Sequence, residues 1–403
     1  MSSLRSFIIM RIALLIPMMW LLITIVFFLL RVLPGANPAL VMNPKLTPEQ
    51  IQLMTARYGL DRPLFEQYID FLIKIATFDL GISFRTNDFV ASEIQQAFGL
   101  TLMLGTFGTL IGVPLGIVLG GISGANRDRV ADHGIRLYTI GIYSIPIFLV
   151  GILMQMLFSK SGFLGPFLKT IAIFILIIGT IAVVINIPLW MISRRKNSNL
   201  NFYILHFKKI ITVSILIFLI GLVMYFTFPL PALSPMRAGA TGEFPHYTNI
   251  WIIDTLLSGR PDLTFDLVLH LIMPSTALGM LIASVIARQV RTNMIFQLEQ
   301  DYVHFARSRG IPENTVVYRY GLKNAAVPAI GLISLQFALL LAGAILTETT
   351  FNIPGLGRYL FLAIQEKDFP AVQGVMVVFV LIVNLISLLS DVLYALIDPR
   401  ITY

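Results

Sequence analysis

The sequence predicts an all-α polytopic membrane protein, and three observations lead to this class. Hydrophobic residues make up 57% of the 403 residues, charged residues only 12%, and the mean hydropathy is +0.83. Apolar runs of about 20 residues, the length of a membrane-spanning helix, recur along the chain. Lys and Arg are concentrated in alternate loops. A water-soluble protein of this size could not bury so much apolar surface.

Eight apolar runs predict eight spans. They lie near residues 8–30, 99–121, 135–158, 170–192, 210–228, 269–287, 326–348 and 372–396. The first run is too long for the apolar core of a signal peptide, and no small-residue cleavage site follows it. It is therefore interpreted as a retained anchor. Asn186-Ile187-Pro188 interrupts the fourth run, and His270 opens the sixth.

The distribution of Lys and Arg predicts that both termini are cytoplasmic. With the N-terminus inside, more than half of the 29 basic residues fall in interior segments, which are the shorter loops. This asymmetry is typical of a multi-pass protein of the cell (inner, cytoplasmic) membrane. A surface facing anionic lipid accounts for the net charge of +8, so no nucleic-acid partner is expected. Because Cys is absent, disulfides, thiol catalysis and cysteine metal sites are excluded.

The long exterior segment, residues 31–98, predicts a cap of short amphipathic helices. Thr47-Pro48-Glu49-Gln50 is typical of a helix start, and Gly59 of its end. Asp61-Arg62-Pro63 opens a second helix that carries Phe65, Tyr68, Ile69 and Leu72. Such a cap could contact an external partner or only pack on the bundle, and the pattern leaves both open.

The polar segment 301–328 predicts two short helices on the inner face of the membrane. Tyr302, Phe305 and Ala306 repeat with the spacing of an apolar helix stripe. Gly310 ends this helix, and Ile311-Pro312 begins the next, with proline suited to a first helical turn. The stripe could be a docking site for a soluble partner, or the segment could be an ordinary amphipathic loop. Periodicity alone does not decide between them.

No catalytic constellation or cofactor site is recognised, so the chain is predicted not to be an enzyme. A phosphate-binding P-loop is missing, because the nearest segment, Gly162 to Thr170, has the wrong spacing. Gly121-Ile122-Ser123-Gly124 matches a short intramembrane serine-protease pattern. The only His in a predicted span, His270, lies at the opposite membrane face from Ser123, beyond the reach of a general base. The tetrapeptide is interpreted as a helix terminus.

Polar residues within spans are costly and are therefore candidates for a translocation path. The clearest are Gln155, Gln336 and Asn384, with Glu348 at an exterior helix end. The alternative is that each forms interhelical hydrogen bonds that hold the bundle together. Separately, the four-residue repeat Gly112, Gly116 and Gly120 predicts close packing of the second span against another helix.

A series of short motifs runs in order over nearly the whole chain. They are Leu33-Pro34-Gly35; Thr47-Pro48-Glu49-Gln50; Gly59-Leu60-Asp61-Arg62-Pro63-Leu64; Asp79-Leu80-Gly81-Ile82-Ser83; Asp301-Tyr302-Val303 with Ala306-Arg307 and Gly310; Leu322-Lys323-Asn324-Ala325; Leu346-Thr347-Glu348-Thr349; Pro354-Gly355-Leu356-Gly357-Arg358; Asp368-Phe369-Pro370; and Asp398-Pro399-Arg400. In this respect the chain resembles the membrane-spanning permease subunit of dipeptide/oligopeptide ABC importers, specifically the half whose first exterior loop is long.

The resemblance implies a six-span permease core, to which this chain adds an inserted transmembrane hairpin. The implied regions are 1–98 (first span and exterior cap), 99–159 (core spans 2 and 3), 160–228 (hairpin) and 229–403 (rest of the core, with a cytoplasmic coupling loop at 288–325). The residues implied to couple the chain to an ATPase are Tyr302, Phe305, Ala306, Arg307, Gly310 and Ile311.

The partners implied by the resemblance are a second homologous permease subunit, two cytoplasmic ATPase subunits and an external substrate-binding protein that delivers a peptide. One departure stands in the loop, where the family consensus Glu-Ala-Ala is replaced by His304-Phe305-Ala306. The same architecture could import oligosaccharides or nickel. From a different class, an ion-gradient-driven secondary transporter would be expected to show paired ionisable residues or broken helices near mid-membrane.

Overall fold

A computed structural model describes residues 4–32, 61–158, 164–195 and 247–397 continuously, with a few single positions between them. Within these residues the regular structure is helical, and the one other element is an isolated antiparallel bridge between Ile82 and Phe89. The predicted all-α class is confirmed for this part of the chain.

The described helices are numbered in chain order. They are α1 (Leu4–Val32), α2 (Leu64–Ala76), α3 (Val90–Ala125), α4 (Val130–Ser144), α5 (Ile147–Phe158), α6 (Leu164–Arg195), α7 (Trp251–Leu257), α8 (Pro261–Leu298), α9 (Asp301–Ser308), α10 (Glu313–Thr315), a π-helix (Val316–Leu322), α11 (Lys323–Phe351), α12 (Leu356–Gln365) and α13 (Phe369–Ile397).

Several described helices are long and apolar enough to cross a bilayer. Segments that meet both conditions are Ile12–Leu29, Val90–Ala125, Pro261–Leu298 and Phe369–Leu389. α11 coincides with another predicted span and has 29 residues, about 43 Å at 1.5 Å per residue. The protein is therefore a polytopic membrane protein, and the number of eight spans stays a prediction.

The third apolar run, 135–158, was expected to be one span, and the structure shows that it is broken. α4 and α5 meet at an angle of 108° across Ile145 and Pro146. Proline has no amide hydrogen to donate and disfavours a helical residue before it, which accounts for the break. Ile145 accordingly has the extended ψ of 128°.

The predicted inserted hairpin, 160–228, is described only in part. α6 covers its first predicted span and runs without interruption through Asn186 and Pro188, so the predicted break there is wrong. The second predicted span, 210–228, lies largely outside the described residues. α6 packs against α5, and its side chains Phe174, Ile178 and Ile181 are exposed.

The centre of the bundle is a seam between α3 and α8. Five glycines of α3 face α8 at intervals of one helical turn: Gly108, Gly112, Gly116, Gly120 and Gly124. Their nearest neighbours on α8 advance in the same direction, from Leu278 to Met294, so the two helices run parallel. The predicted close packing of the glycine stripe is confirmed.

The glycines are required because the two backbones nearly touch. A Cβ added at Gly116 would lie 2.8 Å from the Cβ of Ile286 and 2.9 Å from the carbonyl oxygen of Ala283. At Gly112 it would lie 2.6 Å from the carbonyl oxygen of Gly279. Real Cβ atoms do not approach other atoms this closely. In lipid the hydrophobic effect does not drive helices together, so their association depends on close van der Waals packing, which small residues allow.

The seam gives the bundle two ends, which are named here by what they carry. At the cap end, α3 and α8 begin, near Val90 and Pro261. At the loop end, they finish, near Ala125 and Leu298, and α9 follows. The main apolar core is continuous along the seam, and its largest buried side chains include Leu100, Leu104, Leu267, Leu271, Met273, Leu278 and Ile286.

The seam geometry predicts a large difference between two glycine substitutions. Gly116→Ala should destabilise the chain by roughly 1–3 kcal/mol, because the new methyl group has no space. Gly141→Ala is the matched control, since nothing lies within 4 Å of a Cβ added there. In a helix interior it should be neutral or stabilise by about 0.5–1 kcal/mol. Thermal unfolding of the two purified variants measures the difference, and equal stability would contradict the seam.

Candidate functional site

The loop end contains the polar segment that the sequence singled out. α9 runs from Asp301 to Ser308, and Gly310 follows with a φ of +70°. This left-handed conformation is open to glycine and strained for most other residues. Pro312 then serves as N-cap of α10, one position before the predicted first turn. The predicted pair of short helices separated by Gly310 is confirmed.

The expected apolar stripe is only partly exposed. Ala306 is buried together with Val303 and Val316, and Leu298 and Ile311 pack against this small cluster. Ala306 and Ile311 therefore hold the loop together and do not present an open surface, contrary to the expected exposed stripe. Their burial fixes the angle between α9 and the π-helix.

Tyr302 is a junction between three elements. Its hydroxyl donates to Gln297 Oε1 at 2.7 Å, at the end of α8, and accepts from Asn324 Nδ2 at 3.1 Å, at the start of α11. Because one hydroxyl contacts α8 and α11 while its own backbone belongs to α9, the loop is tied to both long helices. In this structure, Tyr302 positions the loop.

Arg307 closes the loop across Gly310. Its Nη2 and Nε donate to the two carboxylate oxygens of Glu313, at 2.8 and 3.2 Å. The hydrogen bonds from Arg307 lower the pKa of Glu313 below its usual value, and the same pairing raises the pKa of Arg307. Glu313 is therefore ionised at neutral pH. Since both side chains are exposed, the pair adds little to the free energy of unfolding, and its main effect is to orient the two arms of the loop.

The exposed part of the loop is an aromatic side chain beside a positive charge. Phe305 is 62% exposed, and the guanidinium carbon of Arg309 lies 5.4 Å from its ring centroid. Gly310 is also exposed, and a Cβ there would meet nothing within 4 Å. A large, exposed aromatic side chain on a turn is the kind of group that anchors protein interfaces.

The loop is mechanically continuous with α11. α10 leads into the π-helix and then into α11 without a break in the helical backbone. Gly321 of the π-helix packs against the side chains of Leu298 and Met294, at about the limit that a Cβ would allow. π-Helical segments are uncommon and are frequently found at functional sites. The loop and α11 are therefore connected by a continuous helical backbone.

A buried ion pair at the loop end was not predicted from the sequence. Asp132 is fully buried, and its two oxygens accept from Arg291 Nε and Nη2 of α8, at 2.6 and 2.7 Å. The carboxylate also accepts hydrogen bonds from the hydroxyl of Ser123, at 2.5 Å, and from the backbone amide of Asp128, at 3.0 Å. The carboxylate thus joins α3, α4 and α8. A bidentate pair of this kind is both strong and geometrically specific.

The same carboxylate shapes the turn between α3 and α4. Asp128 has a φ of +60°. Its backbone N–H donates a hydrogen bond to the Asp132 carboxylate, which stabilises this conformation. Next to it, Arg127 extends towards Glu299, with a distance of 3.3 Å between Nη1 and Oε1. The exposed basic turn 126–129 consequently lies beside the start of α9, as a second part of the loop-end surface.

At the cap end, Glu348 is buried in a closed network. It accepts from the hydroxyl of Thr101 at 2.6 Å and from the amide of Arg358 at 2.9 Å. Thr101 also accepts from the amide of Leu356 at 2.8 Å. A Cβ at Gly355 would overlap the Glu348 carboxylate. In this structure Glu348 caps the N-terminus of α12, and its predicted role in a translocation path stays a prediction.

The other candidate path residues are Gln155, Gln336 and Asn384. Gln155 donates to the carbonyl oxygen of Thr350 at 3.2 Å, near the cap end. Asn384 is buried and donates to the carbonyl oxygen of Val380 on its own helix. Gln336 is buried, about 18 Å before Glu348 along α11 at 1.5 Å per residue. Their predicted role in a path is not tested by these positions.

The arrangement around Ser123 agrees with its interpretation as part of a helix terminus. Ser123 lies in the last turn of α3 and bonds to Asp132, the partner of Arg291. His270 lies on α8 about 30 Å before Arg291, at 1.5 Å per residue. Its Nδ1 is 2.8 Å from the carbonyl oxygen of Asp266 in the preceding turn. The two side chains cannot form a nucleophile and base.

Over the described residues, the fold and the site define a helical membrane protein with a partly apolar loop at the end of its central helix pair. Comparison with known proteins agrees with this class. Residues 192–403 match the family described as the binding-protein-dependent transport system inner membrane component, and residues 4–105 match the N-terminal family of such membrane components. The chain belongs to the binding-protein-dependent transport system inner membrane components.

Curated relatives are similar over their full length. A di/tripeptide transport system permease protein of Pseudomonas aeruginosa is 31% identical over 399 residues, covering 99% of each chain. A dipeptide transport system permease protein of Escherichia coli is 30% identical over 400 residues, again with 99% of each covered. A glutathione transport system permease protein of Escherichia coli is 27% identical over 398 residues, with the same coverage.

The Asp132 pair supports a prediction with a close control. Asp132→Asn should destabilise the chain by roughly 2–4 kcal/mol. The Asn side chain is neutral and has an NH2 group in place of one carboxylate oxygen, so one N–H of Arg291 would face another donor and the positive charge of Arg291 would lose its partner. Asp128→Asn removes the same charge four residues earlier, where the side chain is 69% exposed. Asn tolerates a positive φ, so this control should be nearly neutral.

Thermal unfolding of both variants in detergent or nanodiscs provides the comparison. If Asp132→Asn unfolds at the same temperature as Asp128→Asn, the buried pair does not hold the three helices together.

Proposed function

We propose that the chain is the permease subunit of an ATP-driven importer of di- or oligopeptides in the cell membrane. The observation that carries the proposal is the loop end. It presents an exposed Phe305 on a turn fixed by Gly310, Tyr302 and the Arg307–Glu313 pair, in direct continuity with α11. Full-length similarity to permeases of dipeptide and di/tripeptide systems supports the substrate class.

The proposed assembly contains a second, homologous permease, two cytoplasmic ATPase subunits and an external binding protein. The loop end faces the cytoplasm in this proposal, and both termini lie on that side, in agreement with the positions of Lys and Arg. The ATPase receives Phe305, with Arg309 and the basic turn 126–129 at the edge of the contact. The external binding protein docks at the cap end and selects the substrate.

Transport then follows from coupled conformational equilibria. ATP-driven closure of the two ATPases draws the loops of both permeases together and opens the path outwards, and hydrolysis restores the first state. Each ligand must bind one arrangement more tightly than the other, because otherwise no cycle is driven. The direct backbone connection from the loop through the π-helix to α11 is the route along which this change would reach the membrane segment.

A secondary transporter is the alternative from another class. It would need ionisable side chains near a broken helix within the membrane. α4 and α5 do meet at a sharp bend, and the guanidinium carbon of Arg288 lies 4.3 Å from the ring centroid of Tyr143 beside it, but among the described residues Arg288 has no ion-pair partner. An importer of oligosaccharides or nickel with this architecture is distinguished from a peptide importer by the binding protein, whose ligand an affinity screen identifies.

Two substitutions test the coupling loop. Phe305→Ala should remove an interface anchor of about 2 kcal/mol or more, and Gly310→Val should misdirect the turn, because a β-branched residue resists a positive φ. Both complexes should insert normally and accept the binding protein, yet lose substrate-stimulated ATP hydrolysis or the ATPase subunits themselves. The isolated chain should hydrolyse no ATP.

The matched controls come from the same loop. His304→Ala removes an exposed side chain beside Phe305, and Gly310→Asn keeps a residue that accepts the left-handed conformation. Both should retain most of the stimulation. If Phe305→Ala and Gly310→Val hydrolyse ATP like the wild type in reconstituted complexes, the loop is only structural and the assignment is wrong.

The segment 160–228 is proposed to be peripheral to transport. The exposed side chains of α6 and its limited packing against α5 support this view. A variant that joins residue 159 to residue 229 should still insert, assemble and support peptide uptake, at some cost in stability. Loss of uptake with normal assembly would show that the segment has a function of its own, such as holding an additional subunit.

A further inference from the structure

α2 carries two apolar stripes, of which the bundle covers only one. On the covered side, Tyr68 and Phe71 pack against Phe27 near the end of α1. Their ring centroids lie 5.3 Å (Tyr68) and 5.1 Å (Phe71) from the ring centroid of Phe27. On the other side, Phe65 is 73%, Ile69 38% and Ile73 57% exposed. These three residues, called here the outer stripe, are spaced by four and lie on one helix face.

The contact with α1 gives the depth of α2 relative to the membrane. The hydroxyls of Tyr68 and Thr24 are 2.7 Å apart. Thr24 lies in the apolar run of α1, six residues before Leu30, which is followed by the charged Arg31. At 1.5 Å per residue, Tyr68 is therefore anchored about 9 Å inside the end of that run. A helix at this level cannot be surrounded by water alone.

The third face of α2 is polar. Glu66, Asp70 and Lys74 are exposed and also repeat every four residues, one position after the outer stripe. Asp70 is paired with Arg62 at 2.8 Å, with both side chains about half exposed. One helix thus presents a covered face to α1, an apolar face to the side and a charged face directed away from both. This pattern is that of a helix at a membrane interface.

We propose that α2 is an interfacial helix whose outer stripe, Phe65, Ile69 and Ile73, lies in the acyl-chain region of the bilayer. The outer stripe would extend the lipid-facing surface of α1. Near the contact between Thr24 and Tyr68, α1 exposes Leu21, Ile25, Phe28 and Leu29. Interfacial helices bury their apolar face about 5–10 Å into the boundary of headgroups and chains, which agrees with the depth set by Thr24. The charged face remains in water.

This position has a mechanical consequence for the exterior cap. Burying the outer stripe fixes α2 in the membrane plane, and its aromatic contacts with Phe27 and Phe28 tie it to α1. α2 is then anchored to lipid and to the first span, whereas the segment from Ser83 to Arg85 is held by Asp368 of the core. The described part of the cap is consequently attached to the membrane through α2 and to the core through the segment that follows it.

The chain has no Cys, so single-cysteine variants report on individual positions without further changes. Phe65→Cys and Ile73→Cys sample the outer stripe, and Glu66→Cys and Lys74→Cys sample the charged face of the same helix. The full chain in its assembled complex is reconstituted in nanodiscs without the external binding protein. Labelling by a charged, membrane-impermeant maleimide is then timed for each variant.

Positions 65 and 73 should react about tenfold more slowly than positions 66 and 74. A fluorophore attached at 65 or 73 should in addition be quenched by lipids that are brominated in their acyl chains, whereas one at 66 or 74 should not. Equal labelling rates on both faces would show that the outer stripe faces water and would overturn the proposal. Protection without quenching would show that a protein covers the stripe, which also overturns it.

Discussion

The close approach of α3 and α8 is the constraint on which the rest of the structure depends. Five glycines in consecutive turns allow the two helices to pack closely over most of a membrane span, and at four of them, Gly112, Gly116, Gly120 and Gly124, a Cβ would lie within 3.0 Å of α8. Because the helices are parallel, the seam places both of their C-terminal ends at the same end of the bundle. The loop end is therefore built on two closely packed helices, which we expect to move as one body.

Polar contacts are concentrated at the two ends of this closely packed pair. At the loop end, Asp132 and Arg291 lock α4 onto the pair, and Tyr302 connects α9 to α8 and α11. At the cap end, Glu348 and Asp368 bind backbone amides at the N-termini of α12 and α13. Buried carboxylates with several donors specify geometry well, and between the two ends apolar packing is sufficient.

Local features of the fold could be predicted from the sequence, and features that depend on distant residues could not. The turn at Gly310 and the packing role of Gly112, Gly116 and Gly120 follow from residue type and spacing. Periodicity places Tyr302, Phe305 and Ala306 on one face, but it does not show that Val316 covers Ala306. Asp132 and Arg291 are 159 residues apart, so nothing local to either suggests the pair. The bend at Pro146 had a local signal, the proline itself, which the high hydropathy of the run obscured.

The central claim is that the α3–α8 seam moves as a rigid unit that carries the loop. A distance between spin labels at Gln96→Cys, at the exposed cap end of α3, and Phe296→Cys, at the exposed loop end of α8, tests this in the Cys-free chain. The account predicts the same narrow distance distribution with and without ATP, in a complex that turns over normally. A nucleotide-dependent shift or a second population within the chain would contradict it, because the seam would then be a hinge.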